Sequence, residues 1–290
     1  MQAHRVIAFV QHAVLRAAVA IMALAIVPTT AAQEAMKSQT GLRSVEAVGT
    51  SCVVTLQNGR VLHSPDLVGA VLSIVVGDAT VRLRIVGIER DPLDKRPGVA
   101  TEDAVWLHSL SIEGPDGAWR NMCQPGPDGR TQGFPLAGQS APDATMREAA
   151  PGVFELVCSA GAQGKCVRFG YRPWAGTPDG TPLRAMYNAC VHMVRGDYAG
   201  DNSPKTRNGM LIDIFDSWNI QESVADPAMV FEAGWAQDGA VCVHHPRVTE
   251  TATLTELEAA VPRLRGRTGA ICTEEFARSL GAVIYNRSKL

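Results

Sequence analysis

The sequence has no apolar run long enough to cross a bilayer as a helix, which takes about 20 residues. The run from Ala17 to Val27 is too short, and no later segment comes closer to that length. The chain also has no excess of basic residues, with 27 Lys and Arg against 29 Asp and Glu. A general nucleic-acid binder would carry a basic surface. A membrane-embedded body and a nucleic-acid partner are therefore both disfavoured.

The short motifs that mark common hydrolases and metal sites are also missing. The sequence contains no His-x-x-x-His, no His-Glu-x-x-His and no Gly-x-Ser-x-Gly, so zinc-hydrolase and serine-esterase chemistry have no basis in it. Its cysteines do not form the paired Cys-x-x-Cys units of a zinc site. His244 and His245 would point to opposite faces of a strand and could not easily share one ion. The sequence therefore predicts no metal and no cofactor.

The first 32 residues have the pattern of an export signal. Arg16 precedes the apolar run, and the small residues Thr30 and Ala32 occupy the −3 and −1 positions of a cut before Gln33. We expect a processed chain of residues 33–290, exported to the periplasm or the extracellular space, with no membrane span after the signal is removed. An uncleaved N-terminal anchor is the alternative.

Seven cysteines follow the predicted cut: Cys52, Cys123, Cys158, Cys166, Cys190, Cys242 and Cys272. In an exported chain, cysteines are first expected to form disulfides. Because seven is odd, at least one thiol has no partner within the chain. Cys158 and Cys166 are predicted to pair across a hairpin loop, since direct cross-strand neighbours approach closely enough at Cβ.

Turn residues and apolar alternation divide the chain into two lobes. Residues 33–50 contain few large apolar side chains and are predicted to be a flexible lead-in. Residues 51–123 are predicted to form an antiparallel β-rich lobe, and residues 124–152, rich in Pro and Gly, a linker loop. Residues 153–290 are predicted to form an α+β lobe with a few short helices, stapled by disulfides. The predicted fold class is therefore α+β.

Within the second lobe, the residues before Cys158 and those after Cys166 are predicted to be two strands of a hairpin. A helix is predicted to follow, with Thr181 as its N-cap and Gly196 as its C-terminal cap. Its apolar stripe includes Cys190, which is therefore expected to face the core. His192 lies on the opposite face of that helix and is expected to be solvated.

Polar residues cluster after this helix: Asp197, Asp201, Asn202, Asn208, Asp213 and Asp216. They do not have the spacing of a calcium loop, which needs alternate carboxylates and a Glu at its twelfth position. Asp197 with Asp213 could form an acid–base pair, which needs two carboxylates at a fixed separation. The simpler alternative is that these residues cap the helix exit and form turns.

Aromatic residues accompany this polar cluster: Tyr171, Trp174, Tyr198 and Trp218. They could line a stacking surface for a sugar or a peptide, because aromatic rings provide contact area with little loss of entropy. The alternative is a core or interface cluster. A protein or a carbohydrate is therefore the class of ligand that the sequence suggests.

The segment from Val153 to Ile220 resembles the ADYC domain family, a group of exported bacterial proteins. The residues that carry the resemblance are Cys158, Gly161-Ala162, Lys165-Cys166-Val167, Gly170-Tyr171, Pro173-Trp174, Ala189-Cys190-Val191, Met193, Asp197-Tyr198, Gly200-Asp201, Thr206, Gly209, Ile212-Asp213 and Asp216. Later residues also resemble the end of that family: Glu232-Ala233-Gly234-Trp235, Gly239-Ala240, Cys242, Arg247 and Asn286-Arg287-Ser288.

The resemblance implies a domain of unknown function, with no assigned reaction, cofactor or ligand. This chain departs from the four-letter motif twice, with Gly196 in place of the Ala and Ala199 in place of the Cys. If the family cysteine is normally paired, its partner here has lost its bond, and Cys190 and Cys123 are the candidates. Cys242 with Cys272 is the second bridge that we predict. The remaining connectivity stays open.

The sequence favours a non-enzymatic binding or interaction domain of the cell envelope or the extracellular space. The candidate binding residues are Trp174, Asp197, Tyr198, Asp201 and Asp213. The alternative is a hydrolase with an acidic site at Asp197, Asp201 and Asp213. The two hypotheses differ in geometry, because a hydrolase needs these carboxylates to converge in a pocket with a raised pKa.

Overall fold

The computed structural model describes residues 15–18, 41–76, 79–94, 103–177, 180–224 and 226–290. Most of the predicted export signal, including the cut itself, lies outside these residues. The strands are β1 (Leu15–Ala18), β2 (Leu42–Val48), β3 (Ser51–Leu56), β4 (Val61–His63), β5 (Val71–Val76), β6 (Ala79–Arg90), β7 (Trp106–Glu113), β8 (Trp119–Asn121), β9 (Gly133–Ala137), β10 (Gln139–Ser140), β11 (Met146–Arg147), β12 (Phe154–Cys158), β13 (Ile212–Asp216), β14 (Val230–Ala236), β15 (Gly239–Val243) and β16 (Ile284–Ser288).

The described helices are short, and the α-helices are α1 (Ala162–Arg168), α2 (Arg184–Arg195), α3 (Leu254–Ala260) and α4 (Glu274–Ser279). Single 3-10 turns occupy Ser64–Leu67, Pro262–Leu264 and Gly269–Ile271. The predicted α+β class is therefore confirmed, with antiparallel sheets as the main component.

The largest sheet closes on itself. Its strands follow the order β6-β5-β1-β12-β9-β7-β8, and β6 also pairs with β7, so six of them form a ring. Alternation produces its core, since Leu83 and Ile85 point inward while Arg82 is exposed. The pairing of β6 with β7 contains a bulge between Ile85 and Gly87.

Two smaller sheets complete the fold. Strands β2, β3 and β4 form a three-stranded sheet beside the ring, and their apolar faces join its core through residues such as Val54 and Leu62. The second lobe contains a four-stranded antiparallel sheet in the order β13-β16-β14-β15, against which α2 and α4 pack. A remaining pair, β10 with β11, forms a small hairpin.

The two lobes share one apolar core. Leu107 of β7 and Phe134 of β9 lie in the same buried cluster as Tyr187 of α2 and Trp235 of β14. Each of these four side chains is at most 1% exposed. The lobes are therefore held together by an interior that neither could bury alone.

The structure corrects three of the predicted boundaries. Residues 42–48 of the predicted flexible lead-in form β2, because Leu42 and Val45 reach the N-terminal core. The predicted linker 124–152 contains β9, which pairs along its whole length with β12. The second lobe does not begin at residue 153, since β12 completes the first lobe's sheet. Composition concealed β9 because a Pro and a Gly stand within it.

Three disulfides and one free thiol account for the seven cysteines. The bonds are Cys123–Cys158, Cys166–Cys190 and Cys242–Cys272, with Cα–Cα distances of 5.4, 5.8 and 5.5 Å. The predicted Cys242–Cys272 bond is confirmed. The family-based candidates for a cysteine without its partner, Cys190 and Cys123, are both bonded, and the free thiol is Cys52 of β3.

The predicted Cys158–Cys166 bond is wrong because the second strand of the predicted hairpin is a helix. After Cys158 the chain enters α1, and a Cβ on Gly164 would lie 2.2 Å from the Cys158 carbonyl oxygen. The glycine thus lets the helix pack against the end of β12. Cys166 then faces α2 and bonds to Cys190, which is buried as predicted.

The boundaries of α2 also differ in part from the prediction. Thr181 does not cap it, since the helix begins at Arg184 and the N-cap position is Leu183, with no side-chain hydrogen bond. Gly196 does end the helix, in the left-handed conformation at φ +59° that glycine adopts without strain.

We expect thiol titration of the oxidised protein to find one reactive group per chain, and only after unfolding. Cys52 is 3% exposed, and burial raises the pKa of its thiol to about 12, so the native protein at pH 8 should not react. Reaction with a chromogenic disulfide reagent in buffer and in 6 M guanidinium measures both states. Two or more thiols per unfolded chain would contradict the assigned bonds.

Candidate functional site

The polar motif after α2 is folded around the carboxylate of Asp197. This side chain is fully buried, and its Oδ1 accepts a hydrogen bond from the Gly200 backbone N–H at 3.0 Å. Its Oδ2 accepts from the Asn202 backbone N–H at 2.9 Å and lies 3.0 Å from His192 Nδ1. Asp197 therefore closes the loop that follows α2 and ties this loop back to the helix.

His192 is not solvated, contrary to the sequence-based expectation. It is fully buried because the loop after Gly196 folds back over the helix face that was expected to be exposed. Burial by itself would raise the pKa of Asp197, but the hydrogen bond and charge of His192, together with the backbone donors, hold the pKa below its usual value of 3.8. This direction is the opposite of what a general acid needs.

Tyr198, the next residue, connects a second buried polar group. Its hydroxyl donates to Glu232 Oε1 at 2.9 Å and accepts from the Arg247 backbone N–H at 3.0 Å. Its ring stacks on Trp235, with centroids 5.3 Å apart. The side chains of Tyr198, Glu232, Arg247 and Asn286, which all bond to Glu232 or Tyr198, are called the motif cluster below.

The motif cluster contains a fully buried ion pair. Arg247 Nη2 lies 2.7 Å from Glu232 Oε1, and the two side chains are 1% and 0% exposed. Arg247 Nη2 also donates to the Met193 carbonyl at the end of α2, at 2.7 Å. Asn286 of β16 donates to Glu232 Oε2 at 2.7 Å. One glutamate therefore joins α2, β14 and β16.

The structure separates the five predicted binding residues. Asp201 is exposed and accepts from the Ser203 backbone N–H. Asp213 is 6% exposed and accepts from Ser223 Oγ at 2.6 Å and the Val224 N–H at 2.8 Å. Trp174 is partly buried against the shared core. Asp197 and Tyr198 have no exposed surface at all.

Each acid of the hydrolase hypothesis accepts hydrogen bonds from backbone N–H groups. Asp197, Asp201 and Asp213 each bond to a different stretch of backbone, as carboxylates that shape loops do. Tyr171, another predicted stacking residue, is fully buried and donates to Asp216 Oδ2 at 2.9 Å. Tyr171 and Tyr198 therefore belong to the core, which was the alternative for the aromatic set.

A cleft that the sequence did not indicate lies where the two lobes meet. It has a volume of about 370 Å³ and is lined by Asp91, Leu93, Asp94, Val105, Val167, Arg168, Phe169, Gly170, Arg172, Ile220 and Gln221. The first four lie between β6 and β7, the next five lie at the end of α1 or directly after it, and the last two follow β13. Residues so far apart in sequence give no local signal, which is why sequence reasoning missed them.

The charged groups of the cleft are partly paired with one another. Arg168 Nε donates to Asp91 Oδ2 at 2.7 Å, and Asp91 is 2% exposed. Arg168 Nη1 also lies 2.9 Å from Asp128 Oδ2. Leu93 stands at the mouth and is 55% exposed. The cleft thus combines a fixed guanidinium with an apolar rim.

No group of three or more His, Cys, Asp or Glu side chains is arranged to hold a metal ion in the part of the chain that the structure describes. Across the same residues, no helix has both the length and the hydropathy of a membrane span.

Replacing the loop-closing carboxylate should destabilise the protein strongly. We expect Asp197→Asn to lower the free energy of unfolding by about 3 kcal/mol at pH 7, because it removes one partner of a buried pair. The pKa of Asp197 is lower in the folded protein than its usual value of 3.8. Its stabilising contribution is therefore fully present above pH 3.8 and is lost as the pH falls through the folded pKa. The difference between variant and wild type in urea unfolding should therefore shrink at low pH.

Asp201→Asn is the matched control for this variant, since Asp201 is exposed and closes only one short turn. Its unfolding free energy should change by less than about 0.5 kcal/mol. Equal effects of the two substitutions would contradict the central role of Asp197.

The buried ion pair can be tested by a double-mutant cycle in urea unfolding. Glu232→Gln alone should cost about 3 to 5 kcal/mol, because it leaves the Arg247 guanidinium buried without a countercharge. Combining it with Arg247→Met should cost clearly less than the sum of the two single changes. Strict additivity would show that Glu232 and Arg247 do not stabilise each other.

Comparison with known proteins assigns the chain to a family. A family model described as the ADYC domain matches residues 64–249. No curated protein and no solved structure matches the chain. The matched range begins upstream of the expected Val153 and covers more than half of the 290 residues, including parts of both lobes. The chain belongs to the ADYC domain family.

Proposed function

We propose that the protein is a non-enzymatic binding domain that works outside the cytoplasm, and that its ligand enters the cleft between the two lobes. Three disulfides, including two that tie elements of the second lobe to one another, are consistent with an exported protein. They would hold the walls of the cleft in place before a ligand arrives, which lowers the entropic cost of binding.

The proposal is supported by a contrast between the acids near the Asp-Tyr motif, which are buried, and the charged residues of the cleft, which line an open concave surface. Asp197 closes a loop and Glu232 forms a buried ion pair. Neither side chain has exposed surface with which to contact a ligand. The cleft instead is open to solvent, and both lobes contribute to its walls. Ligand sites are commonly concave, largely apolar and located where structural units meet.

The lining favours a peptide-like ligand over a stacked sugar. Phe169 is the one aromatic residue among those that line the cleft, whereas sugar sites rely on broad aromatic faces. Leu93 and Ile220 offer aliphatic contacts. The guanidinium groups of Arg172 and of Arg168, which Asp91 and Asp128 already hold in place, stand in the same wall. A peptide that ends in an apolar residue with a free carboxylate complements this combination.

We expect N-acetylated tetrapeptides ending in Leu to bind in this cleft, and saturation-transfer NMR with the oxidised protein measures the interaction. Leu93→Glu should weaken binding at least tenfold, because it replaces an apolar contact with an acid that repels the carboxylate of the peptide. The matched control is Leu211→Glu, which replaces another exposed leucine that does not line the cleft.

The peptides with an amidated C-terminus provide a second control, since they keep the apolar side chain and lose the charge. They should bind less tightly than the free acids. Equal binding by the two glutamate variants, or no binding by any free-acid peptide, would count against the cleft as the ligand site.

A further inference from the structure

Three asparagines of the described chain are followed by a small residue, in Asn58-Gly59, Asn202-Ser203 and Asn208-Gly209. All three asparagines are exposed and lie in turns or bends. A small following residue leaves its backbone nitrogen uncovered, so that this nitrogen can attack the carbon of the asparagine amide. The two Asn-Gly pairs are identical as dipeptides, but the fold surrounds them with different hydrogen bonds.

We propose that Asn208 is a self-modification site, which converts to aspartate and isoaspartate in the folded protein, whereas the fold protects Asn58 and Asn202. The reaction uses only water and hydroxide from the solvent and needs no enzyme. The site is independent of the cleft, whose lining comes from other parts of the chain.

The chemical step is a ring closure followed by hydrolysis. Hydroxide removes the proton from the Gly209 backbone nitrogen, and this nitrogen forms a bond to Cγ of Asn208. The bond from Cγ to the amide nitrogen breaks, and that nitrogen takes a proton from water and leaves as ammonia. Water then opens the five-membered succinimide at either carbonyl, which gives aspartate or isoaspartate. No oxidation or reduction takes place.

Hydrogen bonds restrain both reacting groups at Asn58. The Gly59 backbone N–H donates to the Leu56 carbonyl at 2.9 Å. Asn58 Oδ1 accepts from the Arg60 backbone N–H at 3.0 Å. The hairpin loop between β3 and β4 therefore holds the attacking nitrogen and the amide apart, and ring closure requires this loop to open first.

Asn202 is restrained in a comparable way. Its Oδ1 accepts from Arg195 Nη2, and the Ser203 backbone N–H donates to Asp201 Oδ1 at 3.0 Å. The backbone N–H of Asn202 itself donates to Asp197, the carboxylate that closes this loop. Both reacting groups of Asn202-Ser203 are therefore tied to the loop after α2.

Neither restraint occurs at Asn208. Across the described residues, neither the Asn208 amide nor the Gly209 N–H has a hydrogen-bond partner. The turn around them is closed by one long bond, from the Met210 N–H to the Arg207 carbonyl at 3.5 Å. A Cβ added to Gly209 would meet no atom within 4 Å, so hydroxide can reach the backbone nitrogen beside it.

The product changes the charge of an exposed surface. Arg207, which precedes the site, lies with its Nη2 3.4 Å from Glu250 Oε2, and the two side chains are 59% and 67% exposed. A carboxylate at position 208 joins these solvated charges, and solvated charges contribute little to stability. We therefore expect the converted protein to stay folded.

Peptide mapping by mass spectrometry tests the proposal on the oxidised, folded protein after incubation at neutral pH in water enriched in heavy oxygen. Each conversion incorporates one oxygen from the solvent, and electron-transfer fragmentation distinguishes aspartate from isoaspartate. We expect the peptide with Asn208 to convert at least about fivefold faster than the peptide with Asn58, a factor that corresponds to one hydrogen bond.

Two controls separate the effect of the fold from that of the local sequence. In the reduced protein in 6 M guanidinium, Asn58 and Asn208 should convert at similar rates, because the restraints on Asn58 are gone. In the folded protein, Asn208→Gln should abolish conversion at position 208, since glutamine would have to close a larger ring. The same variant should leave conversion at Asn58 unchanged.

Three results would overturn the proposal. The first is equal conversion of Asn58 and Asn208 in the folded protein, and the second is an Asn208 that stays unconverted there. The third is a difference of the same size in guanidinium, which would assign the effect to the neighbouring sequence.

Discussion

The second lobe depends on the hydrogen bonds and the ion pair that the buried carboxylate of Glu232 forms. This carboxylate is fully inaccessible to water, and it accepts hydrogen bonds from Tyr198, Arg247 and Asn286. A charge in such a place is tolerated only when it is paired and its lone pairs are satisfied. Because each donor comes from a different part of the chain, all of these parts must be in place together. The family's Asp-Tyr pair is thus part of the framework of the domain.

The side chains of Asp197 and Tyr198 contact different parts of the domain. Asp197 faces back toward α2 and fixes the loop that follows it, whereas Tyr198 faces the sheet and reaches Glu232. Gly196 makes this turn possible, since a Cβ there would lie 3.1 Å from the Lys205 carbonyl oxygen at a positive φ. The neighbouring Ala199 is partly buried against the shared core, and its carbonyl accepts from Arg263. This position therefore keeps a structural contact without a cysteine.

The sequence was sufficient for elements whose signals are local. Gly196 ends α2, and Cys190 of the predicted apolar stripe is buried. Sequence-based prediction failed where contacts between distant segments determine the structure. β9 lies in a segment rich in Pro and Gly, yet β12 supplies its pairing partner. His192 follows a solvent-facing pattern but is covered by a loop whose path depends on Asp197. The cleft between the lobes could not be predicted because its walls come from three separate segments.

The position of β12 also affects the order in which the protein can fold. This strand lies in the first lobe's sheet, although the whole stretch between Arg90 and Phe154 separates it from β6. It is followed directly by α1 of the second lobe. Contacts between such distant segments form late, because a long loop must close first. A chain that emerges from its N-terminus therefore cannot complete the first sheet until residue 158 has followed. Until then, the apolar strands of the first lobe lack part of the sheet that buries them and are prone to aggregate.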